Sequence, residues 1–238
     1  MNSLNKKIAV GVVIPAAGNA SRMKGIDKQQ LLLDGIPVIV RSIMAFQKRP
    51  EVSEIVVVCK EDTMSEIQGF ISHYNLTKVV NTVCGGASRQ QSVFNGIAKL
   101  SDKITHFAIH DGARPFVDED TLGRCFFDVI RHKAVTAAVP VRDTIKKQDE
   151  NGYIDCTIDR SVLHITQTPQ VFERELYLTA MKKAVANGIE YTDDCQLCES
   201  LGEKVYLTMG SEFNRKITTP EDVVLGEAIA KILKAEGK

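Results

Sequence analysis

Residues 12–33, VVIPAAGNASRMKGIDKQQLLL, begin as an apolar strand and turn through Ala16, Ala17 and Gly18 toward Arg22 and Lys28. Small side chains let backbone N–H groups approach an anion, and the two cations are long enough to reach phosphate oxygens. The stretch is a phosphate-cradle candidate of no common type. G-x-x-x-x-G-K-[ST] is absent, and G-x-G-x-x-G fails because Ala20 stands at the second glycine and Met23 at the third position. A plain strand-to-helix turn with surface cations carries the same local pattern.

A second stretch, Gly85-Gly86-Ala87-Ser88-Arg89-Gln90-Gln91-Ser92, opens with paired glycines and places Ser88, Arg89 and Ser92 as donors near a helix start. A glycine turn with a Ser cap reads identically. In the third, His110-Asp111-Gly112-Ala113-Arg114-Pro115, a carboxylate at a strand end beside small residues suits a hard divalent cation carried on phosphates. Asp111 and Arg114 also suit a simple turn ion pair. Arg142-Asp143-Thr144, Gln167-Thr168-Pro169-Gln170 and Asn214-Arg215-Lys216-Ile217-Thr218-Thr219 each bring hydroxyl or cationic donors. In Thr192-Asp193-Asp194, either aspartate reads as a helix cap. G-x-S-x-G and H-E-x-x-H are absent, which removes the serine-hydrolase and metalloprotease readings.

These clusters need elements to hold them. Apolar, β-branched runs recur at Ile8–Ile14, Ile55–Cys59, Val79–Cys84, His106–His110, Val135–Val141 and Val205–Met209. Between them lie helical periodicities at Val38–Gln47, Thr63–Tyr74, Ser88–Leu100, Asp120–His132 and Arg174–Ala186. A last helix starts from Thr219 as N-cap with Pro220 in its first turn. The alternation predicts an α/β fold, a Rossmann-like three-layer sandwich with a mostly parallel central sheet. In such a sheet, ligands bind beyond the carboxyl ends of the strands, where these clusters are expected to fall. Residues 143–164 break the pattern by alternating polar and apolar around Asn151-Gly152, which predicts a projecting β-hairpin arm. An isolated hairpin is not stable alone, so it is expected to lean on its own domain or on a second subunit.

The 238 residues, with 44% hydrophobic content, suffice for one large domain. Thirty basic residues balance thirty acidic ones, so no overall field favours nucleic acid or an anionic membrane. The first apolar run is too short to span a bilayer, and a cytoplasmic location is expected. Six scattered cysteines fit reduced thiols, and the lone Cys195-x-x-Cys198 lacks the second pair that a metal site needs.

Taken in order, AAGNASRM with Lys28-Gln29, GGASRQQSVFNGI, HDGARPFV, PVRDTIK, QTPQVF, TDDCQLCESLG and KITTPEDVVLGE resemble the 2-C-methyl-D-erythritol 4-phosphate cytidylyltransferase family of the non-mevalonate isoprenoid pathway, over about residues 10–230. The resemblance implies a single nucleotidyltransferase domain, 1–238, that joins CTP to methylerythritol 4-phosphate with Mg2+ and releases pyrophosphate. It implies Arg22, Lys28 and Lys216 as catalytic cations. It implies Ala16, Ala17, Gly18, Gly86, Ser92 and Gly112 around CTP, with Arg89 in the same loop, and Asp111 near Mg2+ and substrate. Thr144, Arg160, Thr168 and Thr192 match the methylerythritol phosphate side. In the family the arm crosses a two-fold interface, which implies a homodimer with Thr144 and Arg160 serving the partner's site. Asp27, Ala20 and Ala87 depart from the family pattern. The nearest alternatives are a ribitol 5-phosphate cytidylyltransferase and a nucleotide-binding regulator without turnover; Ser92-Val93 and the TDD stretch favour the methylerythritol acceptor.

Overall fold

The computed structural model describes residues 8–18 and 29–237, so Ala20, Arg22, Asp27 and Lys28 lie outside the described residues. Strand β1 (Val10–Pro15) is followed by a small hairpin, β2 (Leu32–Leu33) and β3 (Ile36–Pro37), and by α1 (Val38–Gln47). Then come β4 (Val52–Cys59), α2 (Met64–His73), β5 (Val79–Cys84), α3 (Arg89–Ile97), β6 (His106–Ile109), α4 (Glu119–His132) and β7 (Ala134–Pro140). The arm contains β8 (Ile145–Gln148), β9 (Ile154–Ile158) and a 3-10 turn at Arg160–Val162. The chain closes with β10 (His164–Glu173), α5 (Arg174–Asn187), α6 (Asp194–Glu199), β11 (Tyr206–Met209) and α7 (Pro220–Ala235).

Among the described residues, seven strands form one sheet in the order β11-β7-β10-β6-β1-β4-β5. β1 runs parallel to β4 and β6, β4 to β5, and β11 to β7, while β10 is antiparallel to both its neighbours. The period-two alternation of a strand buried on both faces explains the two cores. Val10, Val12 and Ile14 pack with Ile39, Ile43 and Phe46 of α1 and with Leu122 and Phe126 of α4. Val13, Val56 and Val58 face the other way, toward Val93 and Ile97 of α3 and Tyr177 and Ala180 of α5. A third cluster, Leu33, Val38, Phe116, Ile217, Ile229 and Ala230, anchors α7.

Local chemistry sets the helix ends that matter for the site. The Ser88 side chain accepts from the Gln91 N–H at 3.1 Å and starts α3 where the sequence predicts a cap. Asp222 accepts from the N–H groups of Thr218 and Thr219 at 2.8 and 2.9 Å, which with Thr219 forms a capping box. That box fixes the entry of α7 and the segment carrying Lys216 just before it. No helix among the described residues is long and apolar enough to cross a membrane.

Two expectations need correction. Gln167-Thr168-Pro169-Gln170 is not a strand-end cluster: it lies inside β10, at a register shift between Thr166 and Gln170. The arm's turn is also not made by Asn151 and Gly152 alone. Residues 149–153 form the loop, in which Asp149 accepts from the N–H groups of Asn151 and Tyr153 at 2.9 and 2.8 Å, and Gly152 takes a φ of +90°. The arm forms its own two-stranded sheet and leaves Ile145, Ile154 and Val162 exposed.

Candidate active site

The loops after β1, β5 and β6 meet over a cleft of about 340 Å³. Its walls include Ala17, Gly18, Gly86, Arg89, Ser92, Asp111, Gly112 and Lys216, so eight of the residues picked from the sequence converge. Close approach of the loops requires glycine at two points. A Cβ on Gly85 would lie 2.4 Å from the Cβ of Ala17, and one on Gly112 would lie 2.8 Å from Ile39 Cδ1 and 3.0 Å from Gln29 Oε1. A larger, shallower hollow of about 610 Å³ lies between the β2–β3 hairpin and α7, walled by Leu32, Val223 and Lys231. None of the site residues picked from the sequence lines it; cations and an anion converge instead in the smaller cleft.

Asp111 is the centre of that convergence. Its carboxylate is 2.8 Å from Lys216 Nζ, 3.6 Å from Arg114 Nε and 4.0 Å from Arg89 Nη2. Burial alone would raise its pKa, but Lys216, Arg89 and Arg114 outweigh burial and hold the carboxyl well below the usual carboxylate range. Asp111 is therefore an anion at any working pH. Lys216 arrives from the far end of the chain and is held in place by backbone bonds. Ile217 N–H donates to Ala113 C=O at 2.8 Å, Arg114 donates to Asn214 C=O at 2.8 Å, and Asn214 Nδ2 donates to Thr168 C=O at 2.7 Å.

Behind Asp111 lies a buried relay. His110 Nε2 faces Arg114 C=O at 3.0 Å, and since a carbonyl only accepts, that nitrogen carries the proton. Burial pushes the His110 pKa down to about 4, so the ring is neutral and Nδ1 accepts from the Thr168 hydroxyl at 3.0 Å. Thr168 Oγ1 in turn accepts from the Asp111 N–H at 3.0 Å. Thr168 thus sits one hydrogen bond behind the cleft wall. The sequence alone gives His110 no role; its position one residue before the carboxylate is the available signal.

Arg89 spans two carboxylates. Its Nη1 lies 2.6 Å from Asp194 Oδ2, and Tyr177 OH donates to Asp194 Oδ1 at 2.6 Å. Burial alone would lower the guanidinium pKa, but Asp194 and Asp111 raise it, so the charge is permanent. Asp193, not Asp194, is the N-cap of α6, accepting from Gln196 N–H at 3.1 Å. Asp194 is a buried partner of Arg89, where the sequence offers it only as one of two caps.

Other predicted residues occupy less direct positions. The Ser92 hydroxyl donates to Ser88 C=O at 2.8 Å and accepts from Gly86 N–H at 3.0 Å, so it shapes the glycine loop as well as lining the cleft. Ala16 lies behind the wall, its N–H bonded to Val58 C=O at 2.6 Å. Thr192 is exposed on the loop before α6, with its hydroxyl 3.3 Å from Gln196 Oε1. Thr144 and Arg160 stand on the exposed arm and do not line this chain's own cleft; Arg160 donates to Arg142 C=O. Arg22 and Lys28 lie outside the described residues. Cys195 and Cys198 are core residues of α6, with burial pushing the Cys198 thiol up to about 12 and Cys195 higher still. Among the described residues, no group of three or more His, Cys, Asp or Glu is placed to hold a metal.

The cleft therefore offers glycine-lined backbone, a permanent guanidinium and an ammonium, the donor set for a polyphosphate, beside one ionised carboxylate. The family model for 2-C-methyl-D-erythritol 4-phosphate cytidylyltransferase matches residues 10–232. The chain belongs to that family. Among 2-C-methyl-D-erythritol 4-phosphate cytidylyltransferases, the one from Syntrophus aciditrophicus is 41% identical over 234 residues, covering 98% of this chain and 99% of the relative. The crystal structure of 4-diphosphocytidyl-2C-methyl-D-erythritol synthase from Anaerococcus prevotii superposes with a TM-score of 0.85 at 29% identity, covering 97% of this chain and 100% of that one. The cytidylyltransferase structure from Thermus thermophilus follows at 0.77 and 30%, covering 94% and 100%. As a member of this cytidylyltransferase family the chain is a nucleotidyltransferase, and its α/β fold is the one found in these structures.

Proposed function

We propose that the chain joins CTP and 2-C-methyl-D-erythritol 4-phosphate to give 4-diphosphocytidyl-2-C-methyl-D-erythritol and pyrophosphate. The observation that carries this reading is Asp111, an ionised carboxylate under Lys216, Arg114 and Arg89 at the mouth of a glycine-lined cleft, in a chain of this family. A phosphate oxygen of the acceptor attacks the α-phosphorus of CTP. The bond from that phosphorus to the bridging oxygen breaks, and pyrophosphate leaves with the electron pair. The nucleophile is already ionised near neutral pH, so the site needs no general base, and its work is positioning and charge stabilisation.

Within this reading Lys216 meets charge growing at the α-phosphate, together with Arg22 and Lys28. Gly18, Ala17, Ala16, Gly86, Ser92 and Gly112 enclose CTP, with Arg89 beside them. Thr192 serves the acceptor, and Thr168, buried behind the wall, acts on that side only through the Asp111 N–H it accepts from. Asp111 is the residue that would hold Mg2+, which neutralises polyphosphate charge when bound. One ionised carboxylate at the cleft wall fits an ion that takes most of its ligands from phosphate and water. The arm, residues 143–164, pairs two subunits and carries Thr144 and Arg160 into the partner's cleft. The exposed Ile145, Ile154 and Val162 support this, because they find no cover among the described residues. The test is pyrophosphate release from CTP with methylerythritol phosphate and, separately, with ribitol 5-phosphate. Preference for ribitol phosphate would overturn the acceptor, and absence of release with either would overturn the activity.

A further inference from the structure

The first turn of α3 carries, besides Ser88 and Ser92 on the nucleotide side, two neighbouring side chains that reach the loop between α5 and α6. Gln90 is buried, 8% exposed, and both ends of its amide are used there. Its Nε2 donates to Ile189 C=O at 3.1 Å and its Oε1 accepts from Tyr191 N–H at 3.0 Å. One primary amide thus grips a carbonyl and an N–H two residues apart, as a neighbouring strand would. Arg89, the adjacent residue, holds the end of the same loop through Asp194 at 2.6 Å, and Gln170 Oε1 accepts from the Asp194 N–H at 3.0 Å. Between these grips lies the exposed Thr192, whose N–H and hydroxyl both donate to Gln196 Oε1, at 3.1 and 3.3 Å.

We infer that Gln90 is a positioning residue for the acceptor: lodged in the helix that forms the nucleotide wall, it clasps residues 189–191 and so fixes where the chain delivers Thr192, whose own N–H and hydroxyl are then held by Gln196. This rests on the reading of Thr192 as an acceptor-side residue. Nothing in Gln90's own place in the sequence, inside a glycine-rich nucleotide loop, points to the acceptor. The clasp makes the nucleotide wall and the acceptor loop one mechanical unit, because a buried amide with both partners satisfied resists being pulled apart.

The test uses the full-length enzyme with CTP and methylerythritol phosphate. Gln90→Met keeps the volume and removes both hydrogen bonds. It is expected to raise KM for the acceptor roughly tenfold, the effect of losing two ordinary hydrogen bonds in the loop, and to leave KM for CTP within about twofold. Hydrogen exchange at the Tyr191 amide should speed up at least about tenfold, with the amides of β1 unchanged. Thr192→Val should raise the acceptor KM, and the Gln90→Met, Thr192→Val double variant should be no worse than Thr192→Val. If Thr192→Val raises the acceptor KM and Gln90→Met does not, the clasp is overturned. Equal rises for both substrates, with exchange faster throughout the sheet, also overturn it, since Gln90 then only holds the fold. If Gln90→Met raises the acceptor KM and Thr192→Val does not, the clasp stands and the assignment of Thr192 falls.

Discussion

Replacing Lys216 by Gln removes, among the described residues, the cation closest to Asp111 while leaving the backbone that carries it tied down. Ile217 N–H still bonds Ala113 C=O, and Asn214 still bonds Thr168, so the segment has no reason to move. Asp111 keeps Arg114 at 3.6 Å and Arg89 at 4.0 Å and stays ionised. The loss should therefore fall on the transition state. A preorganised donor to a developing oxyanion contributes about 10²- to 10³-fold to kcat. The Lys216 side chain is 38% exposed in the free enzyme, and partial screening by water places this site at the lower end. The expected loss is about 10²-fold in kcat, roughly 2.7 kcal/mol, with the melting temperature within a few degrees of wild type. Coupled detection of pyrophosphate at saturating CTP, Mg2+ and acceptor measures kcat, and calorimetric titration measures CTP affinity separately. A kcat within about threefold of wild type would refute the reasoning, because a cation proposed for the centre would then do nothing there.

Asp194→Asn leaves Arg89 without its closest anion and weakens the tie to Tyr177. Because Arg89 is 30% exposed and keeps Asp111 within 4.0 Å, the expected loss is about 2–3 kcal/mol, less than for a fully buried pair, read from urea unfolding at constant slope. His110, held neutral by burial with a pKa pushed down to about 4, makes stability fall as pH falls from about 6.5 toward 4, because the unfolded chain binds a proton there that the folded chain refuses. That single group contributes about 3 kcal/mol to the decline, and His110→Gln should remove about one proton from the slope of unfolding free energy against pH. Asp111, with its pKa depressed, contributes stability that persists above its ordinary range and is lost only in strong acid, so it adds little in that window. Co-refolding inactive Arg160→Gln and Lys216→Gln subunits should restore roughly a quarter of wild-type activity if the arm serves the partner, since half the dimers are mixed and each has one intact site. No recovery would place Arg160 in its own subunit's chemistry or outside it.

Where local chemistry dominates, sequence and structure agree to the residue. The periodicity of Val38–Gln47 and the β-branched run Val79–Cys84 return as α1 and β5, and Thr219-Pro220 with Asp222 starts α7. β10 is not legible in the sequence, because its polar run Gln167, Thr168 and Gln170 is buried and satisfied by Asn214, Asp111 and Asp194, partners distant in sequence. The arm's turn departs from expectation for a local reason: Asp149 offers one carboxylate to two N–H groups, which a longer loop exploits better than Asn151-Gly152 alone. At the site, glycine loops and the carboxylate can be picked out one by one, but the meeting of Asp111 with Lys216, Arg89 with Asp194, and Gln90 with Tyr191 is tertiary. Only the resemblance to a family places Lys216 beside the others in advance.

The free cleft is not a bare positive surface, and that bears on how it works. Lys216 rests on Asp111 at 2.8 Å, so a ligand anion must draw the ammonium away from a carboxylate that already satisfies it. In many sites that exchange would strand a buried anion, at a cost of several kcal/mol. Here Arg114 and Arg89 remain within 3.6 and 4.0 Å of the carboxylate, and Arg89 is itself fixed by Asp194. Asp111 therefore stays charged after Lys216 leaves, and the energy needed to free the lysine is correspondingly smaller. In the proposed reaction the two arginines thus act without touching the reacting phosphorus. On that reading they let one carboxylate hold Lys216 ready and still be an available anion once a polyphosphate takes the lysine.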